Sequence, residues 1–411
     1  MLPLDGVRAV ELANVLAGPF CGYHLARLGA SVIKVEHPHG GDLARRLGAD
    51  PAMAHRAMGL SFVAVNAGKQ SVAVDLKDSR GTKIVRELAR RSDVVLENFR
   101  PGVMDRLGLG YEVLAQDNPR LIYCAVSGFG QTGPWAGRPA YDQIVQGLSG
   151  AMSVTGDART APLRTGFPMS DTFGGLAAAF AVAAALVDQR ATGRGRFIDV
   201  SLLEATLAGM GWVVSNYLNA GAVPEPMGNE NVTAAPSGTF RTPTGPLNIA
   251  ANEQRQFETL CDLIGRPDLK ADPRFADRQA RKTNRAALGA LIEARLAARP
   301  AEEWEALLNR HGVPAGRVLS VPEVLAHAQI GDREFVESLP IGEAGGAPLR
   351  VTRPGFRFGD GFAPPGDPPA LGAHTGVWLE RLGYGAGEIE ALARDGVVRI
   401  AGGSAPDSAA R

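Results

Sequence analysis

Short apolar runs alternate with longer stretches of mixed apolar and polar residues over the first third of the chain. Short, nearly continuous apolar runs are typical of strands that are buried on both faces of a parallel sheet. The predicted strands are residues 6–12, 31–36, 60–66, 71–76, 93–97 and 121–127. The helices predicted among them are residues 17–28, 79–91 and 111–118. This alternation indicates an α/β fold with a doubly wound parallel sheet.

Residues 176–187 form a longer apolar run of a different kind, twelve residues that are mostly alanine. A run of this length is too short to span a bilayer, so it predicts a buried helix. The preceding Ser170, Asp171 and Thr172 are residues that favour helix starts, and two glycines follow them. Because a helix N-terminus favours negative charge, Asp171 is a candidate nucleophile that is kept ionised. The alternative is that Asp171 only caps a core helix.

The pattern changes after residue 220. Residues 221–228 contain Pro224 and Pro226 and predict a linker. A second, smaller domain is predicted at 229–325, with strands near 238–251 and helices after them. The C-terminal part holds one predicted strand at 349–357, terminal helices within 373–396, and a disordered tail at 402–411.

Composition narrows the possible partners. The 411-residue chain has 43 Lys and Arg against 43 Asp and Glu, which favours neither a nucleic acid nor a membrane surface as its main partner. Its three cysteines have no CxxC spacing, which is typical of a reducing compartment. The N-terminus lacks the apolar core of a signal peptide. A cytoplasmic location is therefore expected.

Several common site motifs are missing from the sequence. No GxGxxG follows the first strand, and neither GxxxxGK[ST] nor GxSxG occurs, which disfavours the usual dinucleotide, nucleoside triphosphate and serine hydrolase sites. His37 and His39 match no standard zinc spacing, so no metal site is predicted. Residues 97–102 (ENFRPG) offer an amide, an aromatic face and a guanidinium at a strand end. These groups suit a nucleotide, although an ordinary strand-to-helix turn is the alternative.

Taken together, these segments resemble the class III coenzyme A transferases, a family that includes formyl-CoA transferase, carnitine CoA-transferase and α-methylacyl-CoA racemase. The resemblance runs in order along almost the whole chain. It is carried by VLAGP at 15–19, GASVIKVE at 29–36, NAGKQS at 66–71, VLENFRPG at 95–102 with Arg106, SGFGQTGP at 127–134, SDTFGG at 170–175, TGRG at 192–195, GVPAG at 312–316 and LGAHT at 371–375.

The resemblance implies a specific role for Asp171. In the family, the matching aspartate attacks the donor thioester to give a mixed anhydride, which CoA thiolate converts into an aspartyl-CoA thioester. An acceptor carboxylate then reverses these steps and leaves as the new acyl-CoA. This is covalent catalysis, in which one difficult exchange is divided into easier steps. Coenzyme A is thus part of the substrate, and no separate cofactor is expected.

The resemblance also implies a set of binding residues. Racemases of the family carry a histidine where this chain has Tyr141, so a two-base racemase would lack one base. Tyr141 and Asp142 are therefore expected to shape the site. Leu16 stands where formyl-CoA transferases have a glutamine, and 229–245 holds no glycine-rich loop; both departures favour a larger acid, such as a dicarboxylate or a branched acid. The expected contacts to CoA are Val15, Leu16, Ala17, His37, Lys69, Asn98, Phe99 and Arg106.

The family fold implies the remaining organisation. A Rossmann-like large domain would combine residues 1–220 with 326–401, and a smaller α+β domain would lie between them in the sequence. Two chains would form an interlocked homodimer. Three functions stay open: a CoA transferase acting on an acyl-CoA and a free carboxylic acid, an acyl-CoA racemase or epimerase, and a non-catalytic acyl-CoA-binding protein. Solvent deuterium at the substrate Cα would distinguish the racemase, and a dispensable Asp171 carboxylate would distinguish the binding protein.

Overall fold

The computed structural model describes residues 1–344, 347–359 and 361–401. The chain divides into two compact units. The second unit consists of Met152–Arg164 and Val223–Arg333, and the first contains the rest. The smaller domain predicted from the sequence spans 229–325. The second unit begins earlier and ends later than this, and it also includes 152–164, so the predicted boundaries differ from those of the structure. Residues 152–164 join the second unit partly because the Gly228 N–H donates to the Gly156 carbonyl at 2.6 Å. The predicted tail at 402–411 lies outside the described residues.

Strands and helices follow one another along most of the chain. The strands are β1 (Arg8–Leu12), β2 (Ser31–Glu36), β3 (Gln70–Val74), β4 (Val94–Glu97), β5 (Ile122–Ser127), β6 (Arg196–Ser201), β7 (Ser237–Thr242), β8 (Gly245–Ala250), β9 (Ala315–Arg317), β10 (Val336–Ala344), β11 (Ala347–Thr352) and β12 (Val398–Arg399). The α-helices are α1 (Ala17–Arg27), α2 (Pro51–His55), α3 (Leu60–Asn66), α4 (Ser79–Arg90), α5 (Val103–Arg106), α6 (Tyr111–Asp117), α7 (Asp142–Leu148), α8 (Met169–Thr192), α9 (Leu202–Gly209), α10 (Gly211–Ala220), α11 (Gln254–Leu263), α12 (Arg278–Thr283), α13 (Arg285–Leu296), α14 (Ala301–Arg310), α15 (Val321–Ala326), α16 (Ala328–Asp332), α17 (Thr375–Leu382) and α18 (Ala386–Arg394). Short 3₁₀ helices lie at Leu43–Arg46, Ala151–Val154 and Pro267–Lys270.

Within the described residues, seven strands of the first unit form one sheet in the order β12-β3-β2-β1-β4-β5-β6. Strands β1 to β6 pair in parallel, and only β12 runs antiparallel, beside β3. The predicted α/β fold with a parallel sheet is therefore confirmed. The chain first builds the sheet from β1 towards β3 and then turns to the other side at β4. This change of direction leaves a crevice at the carboxyl ends of β1 and β4, where ligands of such sheets bind.

Alternate residues of the strands supply two separate cores, one on each face of the sheet. Val10 and Ile33 belong to the core that packs against α4, whereas Ala9 and Val32 belong to the core that packs against α1 and α8. Successive side chains of a strand point to opposite faces, so a strand covered on both sides is apolar at most of its positions. This explains why the runs along these strands are nearly continuous.

The segment 60–66 is a helix, α3, and the predicted strand is wrong. Ser61 and Ala64 are exposed, while Phe62, Val63 and Val65 are buried. Exposed positions three residues apart follow a helical period, although the segment is rich in the residues that favour strands. A short apolar run does not distinguish the two structures by its pattern alone.

The second unit has its own antiparallel sheet, in the order β7-β8-β9. Its core includes Phe257 of α11, Leu288 of α13 and Trp304 of α14, all at most 3% exposed. In the first unit, β11 pairs with β10, a strand that was not predicted from the sequence. The strand predicted at 349–357 is therefore one arm of a hairpin.

Helix α8 is longer than its alanine-rich run, with 24 residues. By length and composition it is the one helix among the described residues that could cross a membrane. Ala178, Val182 and Leu186 on one of its faces are nevertheless part of the core beneath the sheet. A core helix of a soluble protein passes the same length and composition test, so this finding is weak evidence for a membrane span.

Candidate active site

The sheet brings most of the predicted site residues to one edge. Val15, Leu16 and Ala17 follow β1, His37 follows β2, and Asn98 and Phe99 follow β4. Because these strands are parallel, their carboxyl ends share an edge. Helix α8 leads back to the parallel strand β6, so its N-terminus with Asp171 lies at the same edge.

The start of α8 is capped by an aspartate from another helix. Asp142, the first residue of α7, accepts hydrogen bonds at Oδ1 from the Ser170 N–H at 2.8 Å and from the Asp171 N–H at 3.3 Å. Its other oxygen, Oδ2, accepts from the Gln146 side-chain amide at 2.6 Å. The first N–H groups of a helix have no partner within the helix, and this carboxylate supplies one. Asp142 thus performs the capping role that the sequence left open for Asp171.

The Asp171 carboxylate accepts no hydrogen bond from any residue in the described parts of the chain. Burial, and then the nearby negative charge of Asp142, raise the pKa of Asp171 to about 7. The expectation that the helix N-terminus keeps this group firmly ionised is therefore wrong, because desolvation is the larger effect. At neutral pH the carboxylate is present in both protonation states.

Two glycines let α8 pack closely against its neighbours, as expected. A Cβ atom added to Gly175 would lie 2.7 Å from the Ala17 carbonyl oxygen, and one added to Gly174 would lie 2.1 Å from Leu202 Cδ2. Gly175 is four residues after Asp171 and so lies on the same side of the helix, one turn later. The turn that begins α1 therefore packs beside the helical face that carries Asp171.

The turn between β1 and α1 is fixed by side chains from other strand ends. Asn98 accepts from the Asn14 N–H and donates to the Asn14 carbonyl, both at 2.9 Å. The Lys34 ammonium donates to the Ala13 carbonyl at 2.7 Å. The amide of Asn98, which was expected to hold the nucleotide, is thus bonded to the protein backbone. Because Asn98 directly follows β4, these bonds to Asn14 are the way in which β4 helps to shape the crevice.

A buried network of charges lies beneath this turn. Lys34 pairs with Glu11 at 2.9 Å and with Asp42 at 2.8 Å, and Lys69 pairs with Glu11 at 2.7 Å. Beside them, Glu36 pairs with Arg45 at 2.6 Å. All of these side chains are at most 1% exposed. The network was not predicted from the sequence, although charged residues inside otherwise apolar strands, such as Glu11 and Lys34, were a signal for it.

Lys69 belongs to this network and is not presented to a ligand. Its ammonium donates to Glu11, to the Pro19 carbonyl at 2.8 Å and to Asn66 at 2.9 Å, which uses all three of its N–H groups. Burial is the main reason that the pKa of Lys69 falls to about 8. The structure gives this lysine a supporting role beneath the turn rather than the expected contact to CoA.

The other predicted residues are more accessible. The side chain of His37 is 47% exposed, and Arg106 is also exposed. Tyr141, just before α7, is 72% exposed, whereas Phe99 packs partly against the core. His37 and Arg106 are therefore free to approach a ligand at the sheet edge.

A separate small cavity is lined by residues from the carboxyl end of β4, the start of α6 and the first halves of β5 and β6. It measures about 290 Å³ and is lined among others by Glu97, Tyr111, Tyr123 and Phe197. Burial is the main cause that raises the pKa of Glu97 to about 8. Among the described residues, no group of three or more His, Cys, Asp or Glu side chains is arranged to hold a metal ion.

Comparison with known proteins identifies the family. A family model described as CoA-transferase family III matches residues 4–375, a range that includes both Asp142 and Asp171. An acetyl-CoA:oxalate CoA-transferase of Acetobacter aceti is 42% identical over 335 residues, covering 81% of this chain and 85% of its own length. A succinyl-CoA:glutarate CoA-transferase of Mus musculus is 37% identical over 400 residues, covering 97% and 91%.

Solved structures agree with this result. A CAIB/BAIF family protein from Brucella suis superposes with a TM-score of 0.80 at 37% identity, covering 93% of this chain and 99% of that one. Sequence and fold thus point to the same relatives over nearly the full length of the chain. The chain is an enzyme that belongs to CoA-transferase family III.

Proposed function

We propose that this enzyme transfers CoA from an acyl-CoA to a dicarboxylic acid, with Asp171 as the nucleophile. The observation that carries the proposal is the Asp142 cap, which satisfies the first N–H groups of α8 and leaves the Asp171 carboxylate without a hydrogen bond from the described residues. A partly buried carboxylate with a raised pKa is a stronger nucleophile than a fully hydrated one.

The reaction runs through two kinds of covalent intermediate on Asp171, a mixed anhydride and a thioester with CoA. An Asp171 oxygen attacks the thioester carbonyl carbon, the C–S bond breaks, and CoA leaves as a thiolate. The thiolate then attacks the Asp171 carbonyl carbon of the anhydride, which forms aspartyl-CoA and releases the donor as its carboxylate. The acceptor carboxylate attacks this thioester and displaces CoA thiolate, which finally attacks the acceptor acyl carbon and restores Asp171. No net proton is consumed, and every step uses only carboxylates, thioesters, a thiolate and the two mixed anhydrides of Asp171 with the donor and the acceptor.

The acceptor class is inferred from the relatives and from Leu16. The relatives compared above are named for transfer to oxalate and to glutarate, both dicarboxylates. Leu16 is only partly buried and lies just before α1, next to Ala17, whose carbonyl packs against Gly175. An apolar side chain there suits an acid with a carbon chain between its carboxylates, such as glutarate, better than it suits formate or oxalate. Arg106 provides an exposed guanidinium for the nucleotide part of CoA, and His37 and the partly buried Phe99 provide ring faces.

Mass spectrometry tests the nucleophile. The protein is incubated with succinyl-CoA, glutaryl-CoA or acetyl-CoA and then digested, and the expected result is a CoA adduct on the peptide that contains Asp171. Asp171→Asn should abolish both the adduct and turnover. The matched control is Asp188→Asn, at a partly exposed aspartate of the same helix that pairs with Arg196, and it should keep both. An adduct on another residue, or full turnover by Asp171→Asn, would contradict the proposal.

The same incubations distinguish the alternative functions. In deuterium oxide, exchange at the substrate Cα without any adduct would support a racemase. CoA binding with neither adduct nor exchange would support a binding protein.

We also propose that two copies form a homodimer through the faces of α8 and α10 that are apolar and exposed. Phe180 of α8 is 78% exposed, and Trp212 and Leu218 of α10 are 82% and 73% exposed. Large apolar side chains this accessible are typical of an interaction surface. Light scattering should give about 86 kDa, twice the 43.1 kDa of one chain, and Trp212→Asp should reduce the dimer fraction. A monomeric wild-type protein would rule the dimer out.

A further inference from the structure

The turn between β1 and α1 adopts a backbone conformation that its sequence disfavours. Val15 has φ of 65°, in the left-handed region. Branching at Cβ makes this region particularly unfavourable for valine. Strain of this kind persists only where the surroundings impose it, and it clusters at functional sites.

Asp42 is the side chain that is hydrogen-bonded directly to Val15. The Val15 N–H donates to Asp42 Oδ1 at 3.0 Å, and the same oxygen accepts from the Ala44 N–H at 2.9 Å. Lys34 lies 2.8 Å from the other carboxylate oxygen. Although burial opposes ionisation, Lys34 and the two N–H donors lower the pKa of Asp42 below its usual value. Asp42 is thus a fixed, charged acceptor for Val15.

The Lys34–Asp42 pair holds the turn at two points. Asp42 binds it at Val15, and Lys34 binds it two residues earlier at the Ala13 carbonyl. Beyond Val15 the turn continues to Ala17, whose carbonyl packs against Gly175 of α8. A change at Val15 would therefore move the residues assigned to CoA and the surface that faces α8.

We propose that Asp42 is a positioning residue for coenzyme A, acting by holding Val15 in the left-handed conformation that shapes this turn. The inference rests on the proposed function, since CoA is the ligand of the turn. Asp42 is 0% exposed and so acts through Val15 rather than by touching the ligand.

The test is a double-mutant cycle that uses free CoA as the probe and calorimetry as the measurement. Asp42→Ser removes the acceptor for Val15 but keeps a residue that caps the following 3₁₀ helix. In the Val15 background it should weaken CoA binding about tenfold, the effect of losing one charged hydrogen bond. In a Val15→Gly background it should weaken binding less than about threefold, because glycine adopts the left-handed region without strain. Because each comparison is made within one background, the effect of Val15→Gly itself on CoA affinity cancels.

A matched control separates positioning from general loss of stability. Glu337→Gln also removes the acid of an ion pair with a buried arginine, Arg27 of α1, but does not touch the turn. It should lower the melting temperature without changing CoA affinity in either background. If Asp42→Ser does not fold, Asp42→Asn takes its place; its neutral amide oxygen accepts from Val15 more weakly than a carboxylate, so a smaller loss of CoA affinity is expected in the Val15 background and a still smaller one in the Val15→Gly background.

An equal loss of affinity in both backgrounds, or no loss in either, would overturn the proposal while leaving the proposed function intact. Failure of the wild-type protein to bind CoA would contradict both. The transfer reaction is not part of this readout, so a failed nucleophile assignment does not affect it.

Discussion

Asp142 caps the helix that carries Asp171, with its Oδ1 2.8 Å from the Ser170 nitrogen and 3.3 Å from the Asp171 nitrogen. The two carboxylates therefore have different tasks at one helix start. Asp142 is 8% exposed and accepts from the backbone, whereas the Asp171 carboxylate accepts no hydrogen bond within the described part of the chain, and its pKa is raised by burial and then by the charge of Asp142.

Replacing Asp142 should shift the pH dependence of transfer. Asp142→Asn removes a negative charge near Asp171 but can still accept a hydrogen bond from the helix. The pH midpoint of kcat/KM should move below about 7, yet stay above the ordinary value for aspartate because burial is the larger cause of the shift. Asp78→Asn, at the cap of α4, is the control and should leave the midpoint unchanged. An unchanged midpoint in Asp142→Asn would show that the charge of Asp142 does not influence Asp171.

Asp171 should make the folded protein less stable as the pH rises. Its folded pKa of about 7 lies above the unfolded value of about 4, so the folded state binds the proton more tightly. The stabilising contribution of the protonated form is complete below pH 4 and is lost as the pH rises through 7. Urea unfolding should therefore show Asp171→Asn gaining stability relative to wild type between pH 4 and pH 7. A constant difference in the free energy of unfolding between the two proteins across this range would contradict the raised pKa of Asp171. Glu97 does not affect the comparison, because it titrates in both proteins.

Lys69→Met should destabilise the fold rather than selectively weaken CoA binding. Removing one partner of a buried ion pair costs about 3–5 kcal/mol, and Glu11 would lose one of its two lysines. Chemical denaturation measures the loss, and Lys77→Met is a control outside the network. If Lys69→Met is as stable as the wild type but binds CoA much more weakly, the result would support the direct contact to CoA expected from the sequence.

Gly175→Ala should reduce transfer activity. The added Cβ would lie 2.7 Å from the Ala17 carbonyl oxygen. Because this oxygen is a backbone atom, the clash can be relieved only if the turn moves. Gly211→Ala, with nothing within 4 Å of the added Cβ at the start of α10, is the matched control and should keep full activity. Because 1 Å of misplacement can cost on the order of a hundredfold in rate, kcat/KM is the measurement. Equal activities in the two variants would show that this packing is not needed.

The sequence predicted most of the parallel strands, because buried strands are local apolar patterns, whereas the role of Asp171 came from the family resemblance, since its local pattern also fits a simple helix cap. It failed at 60–66, where strand-favouring residues form a helix whose burial is set by tertiary contacts. It also misjudged the ionisation of Asp171, since its burial arises only when the chain folds and Asp142 is 29 positions away in the sequence. Lys69 was misassigned for the same reason, because its partner Glu11 is 58 residues away.

The antiparallel strand β12 has a consequence for synthesis of the chain. It pairs Val398 with Val74 and Arg399 with Ala73, and just before α17 the His374 N–H donates to the Ser71 carbonyl. During translation, β3 therefore remains an uncovered sheet edge until nearly the whole polypeptide has been made. Exposed edges template association between chains. A ribosome-bound chain that ends before residue 371 would thus be the species most dependent on chaperones, and C-terminal truncation would affect solubility before it affected the chemistry at Asp171.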